Sequence, residues 1–116
     1  MTAPKELRVS KDRRQLTVTF ADHAPFDLPA EMLRVLSPSA EVQGHSPEQR
    51  VTVPRKRHVA ILKVEPVGNY AVRITFDDRH DTGIFTWDYL HRLGHEKTAL
   101  WQAYLDELAA KGLSRE

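Results

Sequence analysis

Residues 59–76 constrain what this chain can fold into more than any other stretch. Residues 59–67 are nearly continuously apolar, and residues 70–76 set Tyr70, Val72, Ile74 and Phe76 in alternation with Ala71, Arg73 and Thr75. A period of two puts each set on its own face of a pleated strand, so the second run reads as a half-buried strand. Gly68-Asn69 between the runs suits a two-residue hairpin turn, whose central residues need positive φ. An antiparallel hairpin is therefore expected at the middle of the chain.

A second hairpin is expected near the start. Leu7-Arg8-Val9 and residues 15–20 flank a polar turn at Lys11-Asp12-Arg13-Arg14, with Leu16, Val18 and Phe20 on one face and Gln15, Thr17 and Thr19 on the other. Phe26-Asp27-Leu28 adds a short third strand. Residues 29–36 read as a short helix: Pro29 suits a first turn, Met32, Leu33 and Leu36 form a stripe, and Ser37-Pro38 stops it. Residues 37–54 are polar, broken by Pro38, Gly44, Pro47 and Pro54, and form the longest expected loop. Beyond the central hairpin, Asp77-Asp78-Arg79-His80 makes a turn and residues 81–85 return as a strand.

The remainder is helical. Trp87, Leu90 and Leu93 recur at helical spacing until Gly94 interrupts them. A longer helix then presents Leu100, Trp101, Tyr104, Leu105 and Leu108, with Glu107 and Lys111 as an i,i+4 pair and Gly112 as the stop. Strands first and helices last define an α+β class: a small antiparallel β-sheet domain covered on one side, with a short helix after the first strands and a helical C-terminus. At 116 residues, the stretch 1–116 is expected to form one domain with one core.

Composition then removes whole classes of function. The chain has no cysteine, which excludes disulfides, thiolate nucleophiles, Cys-ligated zinc and Cys-bound iron–sulfur clusters within it. A metal site could draw only on His, Asp and Glu. A formal charge of +1 and a pI near 8.1 exert no strong pull toward nucleic acid or membrane. The opening Met1-Thr2-Ala3-Pro4-Lys5-Glu6 has no apolar signal core, and no apolar run approaches the ~20 residues of a membrane span, so a cytoplasmic location is expected. No glycine-rich phosphate loop or dinucleotide fingerprint is present.

The densest polar cluster is Asp77-Asp78-Arg79-His80-Asp81. His80 with Asp78 or Asp81 could hold a divalent metal or act as an acid–base pair, whereas the plainer reading is a hairpin turn stabilised by Asp side chains. Completing an iron site of two His and one carboxylate would need His23, His45 or His58 nearby. Residues 37–45 contain Ser37, Ser39 and His45, but no G-x-S-x-G elbow surrounds either serine, so helix termination outweighs a nucleophile there. Arg55-Lys56-Arg57-His58 could meet phosphate, but without interleaved aromatics it reads as a solvated loop or edge. Trp87, Trp101 and Tyr104 read as core.

Three stretches together resemble one known family: Met32-Leu33-Arg34-Val35-Leu36-Ser37-Pro38-Ser39-Ala40-Glu41-Val42-Gln43-Gly44-His45, then Glu65-Pro66-Val67-Gly68-Asn69-Tyr70-Ala71-Val72, then Asp77-Asp78-Arg79-His80-Asp81-Thr82-Gly83-Ile84-Phe85-Thr86-Trp87-Asp88-Tyr89-Leu90. They resemble the domain of unknown function 971 family, the gamma-butyrobetaine hydroxylase-like N-terminal domain. The resemblance covers about residues 5–95, with a C-terminal helix over about 96–112 beyond it. In gamma-butyrobetaine hydroxylases such a domain precedes a jelly-roll oxygenase domain holding iron and 2-oxoglutarate, for which this sequence leaves no room; hydroxylase activity is not expected. The resemblance implies a zinc site of three cysteines and a histidine, at positions that here hold Ser37, Ser39, Val42 and His80. Hydroxyls and a valine do not replace thiolates, so no zinc of that type and no other cofactor is expected, and the loop should be held near His80 by hydrogen bonds and packing. The family domain also occurs fused to P-loop ATPases of the iron–sulfur carrier type.

The leading expectation is thus a non-catalytic accessory or binding domain, not an enzyme, serving a protein partner of the iron–sulfur or oxygenase kind, with no nucleic-acid or membrane partner. Its candidate functional surface is His45, Asp78, His80 and Asp81. The rival is a small metal-dependent enzyme or metal sensor centred on His80 with Asp78 and His45. A third reading is a homo-oligomer built on the C-terminal helix.

Overall fold

Residues 2–116 are described by a computed structural model in which the two hairpins each grow into a separate three-stranded antiparallel sheet. The first sheet runs β1 (Glu6–Val9), β2 (Gln15–Thr19), β3 (Phe26–Pro29), and the second β4 (Ile61–Val67), β5 (Ala71–Phe76), β6 (Ile84–Thr86), each in sequence order. The sequence suggested a single sheet; periodicity shows which face of a strand is buried, not which strand it pairs with, and the strands divide into two. Among the described residues the two meet through a single main-chain bond of 2.7 Å, from the Ile61 N–H to the Arg13 carbonyl in the β1–β2 turn.

Alternation holds where ladders are regular. Leu16, Val18 and Leu28 of the first sheet and Val72, Ile74 and Phe76 of the second are buried. Thr17 is buried too, because β2 is the central strand; its hydroxyl donates to Asp27 at 2.8 Å. In β4 the register shifts between Ile61 and Lys63, which turns Leu62 outward to 51% exposure, so this run is not buried on both faces. Val67 pairs with Ala71, which makes Gly68, Asn69 and Tyr70 a three-residue loop instead of the two-residue turn expected. Only Gly68 in it has positive φ, at 53°. Tyr70 leaves the ladder for the surface, and Ala71 is buried in its place.

Helix α1 (Ala30–Val35) starts from an extended Pro29, and its first N–H, on Ala30, donates to the Arg14 carbonyl at 2.7 Å. The 37–54 segment is not featureless: it contains α2 (Ala40–Gln43) and a 3-10 turn (Pro47–Gln49). Helix α3 (Trp87–His95) is capped by Thr86, whose hydroxyl accepts from the Tyr89 N–H, and it runs on through Gly94. A Cβ on Gly94 would lie 2.3 Å from Phe26 Cγ, so glycine here serves the approach of α3 to β3 and not a helix stop. Helix α4 (Lys97–Ala110) ends at Gly112 with φ 63°, the Leu113 N–H reaching the Leu108 carbonyl and the Gly112 N–H that of Ala109, a Schellman cap. Glu107 does not pair with Lys111 at hydrogen-bonding range. Both its oxygens take the Arg50 guanidinium at 2.6 Å, while Lys111 donates to Thr52 at 2.8 Å.

Both sheets and the helices bury one shared core, in which Leu33, Ile74, Phe85, Leu90 and Tyr104 are among the deepest side chains. No helix among the described residues is long and apolar enough to cross a membrane.

Candidate functional site

The fold brings the segment after α1 against the turn between β5 and β6. Leu36 caps α1, and Ser37 follows it into the interior with 0% exposure. On the opposing turn, Arg79 takes positive φ (74°) and the Phe76 N–H donates to the His80 carbonyl, which folds His80 inward to 5% exposure. Ser37 Oγ and His80 Nε2 lie 2.8 Å apart, and His80 Nδ1 lies 3.0 Å from Glu41 Oε2. One proton arrangement satisfies every group. The Nδ1–H donates to the Glu41 carboxylate, Nε2 accepts the Ser37 hydroxyl proton, and Ser37 Oγ accepts the Ser39 N–H at 3.3 Å. Burial lowers the pKa of His80 from its ordinary value and Arg34 adds to this, against the opposite pull of Glu41 and Asp78.

The neighbouring bonds tie the same two segments. Ser39 Oγ caps α2 by accepting the Glu41 N–H and lies 2.6 Å from Thr82 Oγ1. Gln43 donates to the Ser37 carbonyl at 2.9 Å, and the carbonyl of buried Val42 accepts the Val51 N–H at 2.7 Å, closing the loop. A Cβ on Gly83 would stand 2.4 Å from Ser37 Oγ, so only glycine admits this approach. Asp78 points away from the imidazole. Its Oδ2 accepts Arg34 Nε at 2.7 Å and Lys56 Nζ at 2.6 Å, and its Oδ1 accepts the His80 main-chain N–H. Burial pushes this carboxyl up, but the Lys56, Arg34 and main-chain hydrogen bonds outweigh it and hold the pKa at about 2.

Of the residues singled out in the sequence, Ser37, Ser39, Val42 and His80 converge, and Asp78 adjoins them through the backbone. Asp81 and His45 are exposed; the His45 N–H is bonded to the Gln49 side chain. Among the described residues no three His, Asp or Glu side chains stand ready around one ion. Arg55-Lys56-Arg57-His58 is a loop whose Lys56 is spent on Asp78 and Arg57 on Glu116. Glu41, Thr82, Gly83 and Arg34 are the members that sequence reasoning missed. Glu41 two residues after a capping Ser39 was the available signal, since a cap fixes where the following carboxylate points.

The chain Ser–His–Glu reproduces the hydrogen-bond order of a hydrolase triad. A nucleophile must meet a carbonyl carbon, and Ser37 Oγ is buried and covered by Gly83 and Ser39. The grooves that flank the cluster are lined by other side chains, one including Gln43, Arg50, Tyr89 and Glu107, another Lys56, Asp78 and Arg115. Nor does the cluster suit a zinc ion of the family type: two hydroxyls, an alkyl group and an imidazole with both nitrogens hydrogen-bonded are the wrong donors.

These features define a small α+β domain in which a polar cluster ties the post-α1 loop to the β5–β6 turn of the second sheet. The gamma-butyrobetaine hydroxylase-like, N-terminal family model matches residues 7–91, and the chain belongs to that family. One protein solved by NMR in solution is 48% identical over 100% of this chain and 91% of its own, with a TM-score of 0.86. Another, also an NMR solution structure, is 43% identical over 100% of this chain and 86% of its own, with a TM-score of 0.84. The crystal structure of a protein of unknown function of the DUF971 family from Acidithiobacillus ferrooxidans ATCC 23270 is 42% identical over 78% of this chain and 91% of its own, with a TM-score of 0.65. No protein of curated function matches the chain.

Proposed function

We propose that this chain is a non-catalytic accessory domain that acts in the cytoplasm by binding a protein partner of the oxygenase or iron–sulfur kind. The observation that carries this reading is the sealing of Ser37 and His80, at 0% and 5% exposure. The residues with the most reactive arrangement are used up in holding two segments together, which leaves the surface as the place of function. Family membership supports the partner class, since the family is described by its place at the N-terminus of gamma-butyrobetaine hydroxylase-like proteins.

The test is an NMR titration of the labelled chain with two probes in turn, the catalytic domain of a gamma-butyrobetaine hydroxylase-like oxygenase and an iron–sulfur carrier ATPase of the P-loop type. Saturable shifts confined to one contiguous surface with either probe support the proposal. Unchanged spectra with both at stoichiometric excess, or turnover of an ester or amide by the isolated chain that is lost in Ser37→Ala, overturn it.

A further inference from the structure

A cleft of about 230 Å³ lies between the loop after α1 and one face each of α3 and α4. Helix α3 lines it with Tyr89, Arg92 and Leu93, and α4 with Leu100, Ala103 and Glu107. Spacings of three, four and seven residues keep each set on a single helical face, so the walls are regular helix and not a distorted turn. Leu36, Leu93 and Tyr104 are buried and give the cleft an apolar floor, while Ala103 is small and exposed at its mouth. Ser37 and His80 are not among its walls.

We propose that this cleft binds a small organic monocarboxylate with an apolar body, its head held by Arg50 and Arg92. Arg50 enters from the loop and gives Glu107 only its Nη1, in two bonds of 2.6 Å. Arg92 gives Glu96 only its Nε, at 3.2 Å. Among the described residues the other guanidinium nitrogens of both make no hydrogen bond, and such donors fork readily onto a carboxylate. The two cations also converge. Burial raises the pKa of Tyr89 against the opposite pull of Arg92 and Arg50, which places both beside one phenol. That phenol is fixed in turn, because its hydroxyl donates to the Leu36 carbonyl at 2.5 Å.

The charge and size of the lining choose the ligand. Two guanidiniums against the one carboxylate of Glu107 leave the walls with a net charge of +1; Glu96, the partner of Arg92, lies outside the lining and half in water. A monoanion neutralises that charge, whereas a phosphate dianion would also meet Glu107. A volume of about 230 Å³ falls below the roughly 300–1,000 Å³ of drug-sized sites, so the body is short. Leucine and tyrosine walls favour an aliphatic or aromatic body over a polar one. The tie to Glu107 accounts for Arg50 at the cleft; Arg92, from α3, adds a second cation above the same apolar floor.

The test titrates the full isotope-labelled chain with benzoate and reads the affinity from NMR shifts. Expected are saturable shifts confined to the cleft, with a Kd below about 1 mM. Binding should be at least about tenfold weaker for benzamide, which keeps the body without the charge, for acetate, which keeps the charge without the body, and for inorganic phosphate. Arg92→Gln should weaken benzoate at least about fivefold, and Ala103→Leu, which fills the mouth, should abolish saturation. Both positions are exposed, so both variants stay folded, and Arg8→Gln on β1 serves as the control with unchanged affinity. No saturation with benzoate up to about 10 mM overturns the proposal, as does an affinity unchanged in both variants or matched by benzamide or phosphate. Binding of acetyl-glycyl-phenylalanine at least about tenfold tighter than benzoate would assign the cleft to a chain terminus and overturn the free acid.

Discussion

His80 is a buried imidazole with both nitrogens spoken for, and its cost is measured by what each partner leaves behind when removed. Ser37→Ala removes the hydroxyl that donates to Nε2 and leaves a buried acceptor bare, an expected loss of about 1–3 kcal/mol in urea unfolding. Glu41→Gln should cost well under about 1 kcal/mol, because the Glu41 side chain is mostly in water. A larger effect at the exposed residue than at the buried one would sink this account of the cluster. The same side chain sets a pH dependence. Its folded pKa lies below the unfolded value near 6.5, so the unfolded chain binds the proton more readily. Stability from His80 is therefore full above that value and is lost as the pH falls through the folded pKa; His80→Gln should flatten this slope. Asp78 acts in a lower window, with its stabilisation present above about 4 and lost as the pH falls toward about 2, where its folded carboxyl titrates. Unfolding curves for the wild type, His80→Gln and Asp78→Asn at a series of pH values separate the two windows.

At the scale of elements, Gly94 sets two effects against each other. Alanine inside a helix is better than glycine by about 1 kcal/mol, which favours Gly94→Ala. Its new methyl would sit 2.3 Å from Phe26 Cγ, and overpacking of that kind costs about 1–3 kcal/mol. The clash wins, so Gly94→Ala should lower the thermal midpoint and shift the Phe26 ring resonances; a raised midpoint would show that β3 gives way easily. Gly94 also marks where reading the sequence reaches its limit. Both hairpins and the two C-terminal helices were legible because each repeats its own period of two or 3.6, while the short helix, under two turns long, was legible from Pro29 at its start and Ser37-Pro38 at its end. Gly94 resembled a helix stop because the ring that needs it is 68 positions earlier. For the same reason Glu107 looked like a partner of Lys111, when its partner Arg50 is brought by the loop. Ser37 and His80 were legible as candidates, but that they face each other in the dry interior is a fact of tertiary packing.

For the molecule as a whole, the question is what holds the first sheet, the second sheet and α4 in one body when the sheets exchange so few main-chain bonds. Part of the answer lies at the C-terminus. The main-chain N–H groups of Arg55 and Arg57 donate to the carbonyls of Ser114 and Arg115, so the tail is laced to the segment that leads into β4. Arg115 then forks onto Glu31 of α1, with bonds of 2.8 and 2.7 Å, and its guanidinium lies 5.4 Å from the Trp101 ring of α4. One side chain thus touches the helix after the first sheet, the last helix and, through its backbone, the approach to the second sheet. Glu31 is 8% exposed at its side chain, so Arg115→Ala strands a buried carboxylate, and that is worth more than the pair itself. Since Arg115 is a third exposed, water softens the penalty, and a loss of about 2–3 kcal/mol is expected. Glu31→Gln leaves an exposed cation instead of a buried anion and should cost less, about 1 kcal/mol. If the tail is a true tie, the two changes combined should fall short of their sum by at least about 0.5 kcal/mol in a double-mutant cycle, and Arg115→Ala should speed amide exchange in residues 55–57 as well as at its own end. Simple additivity, with exchange at 55–57 unchanged, would mean that the sheets are joined by their shared apolar core alone.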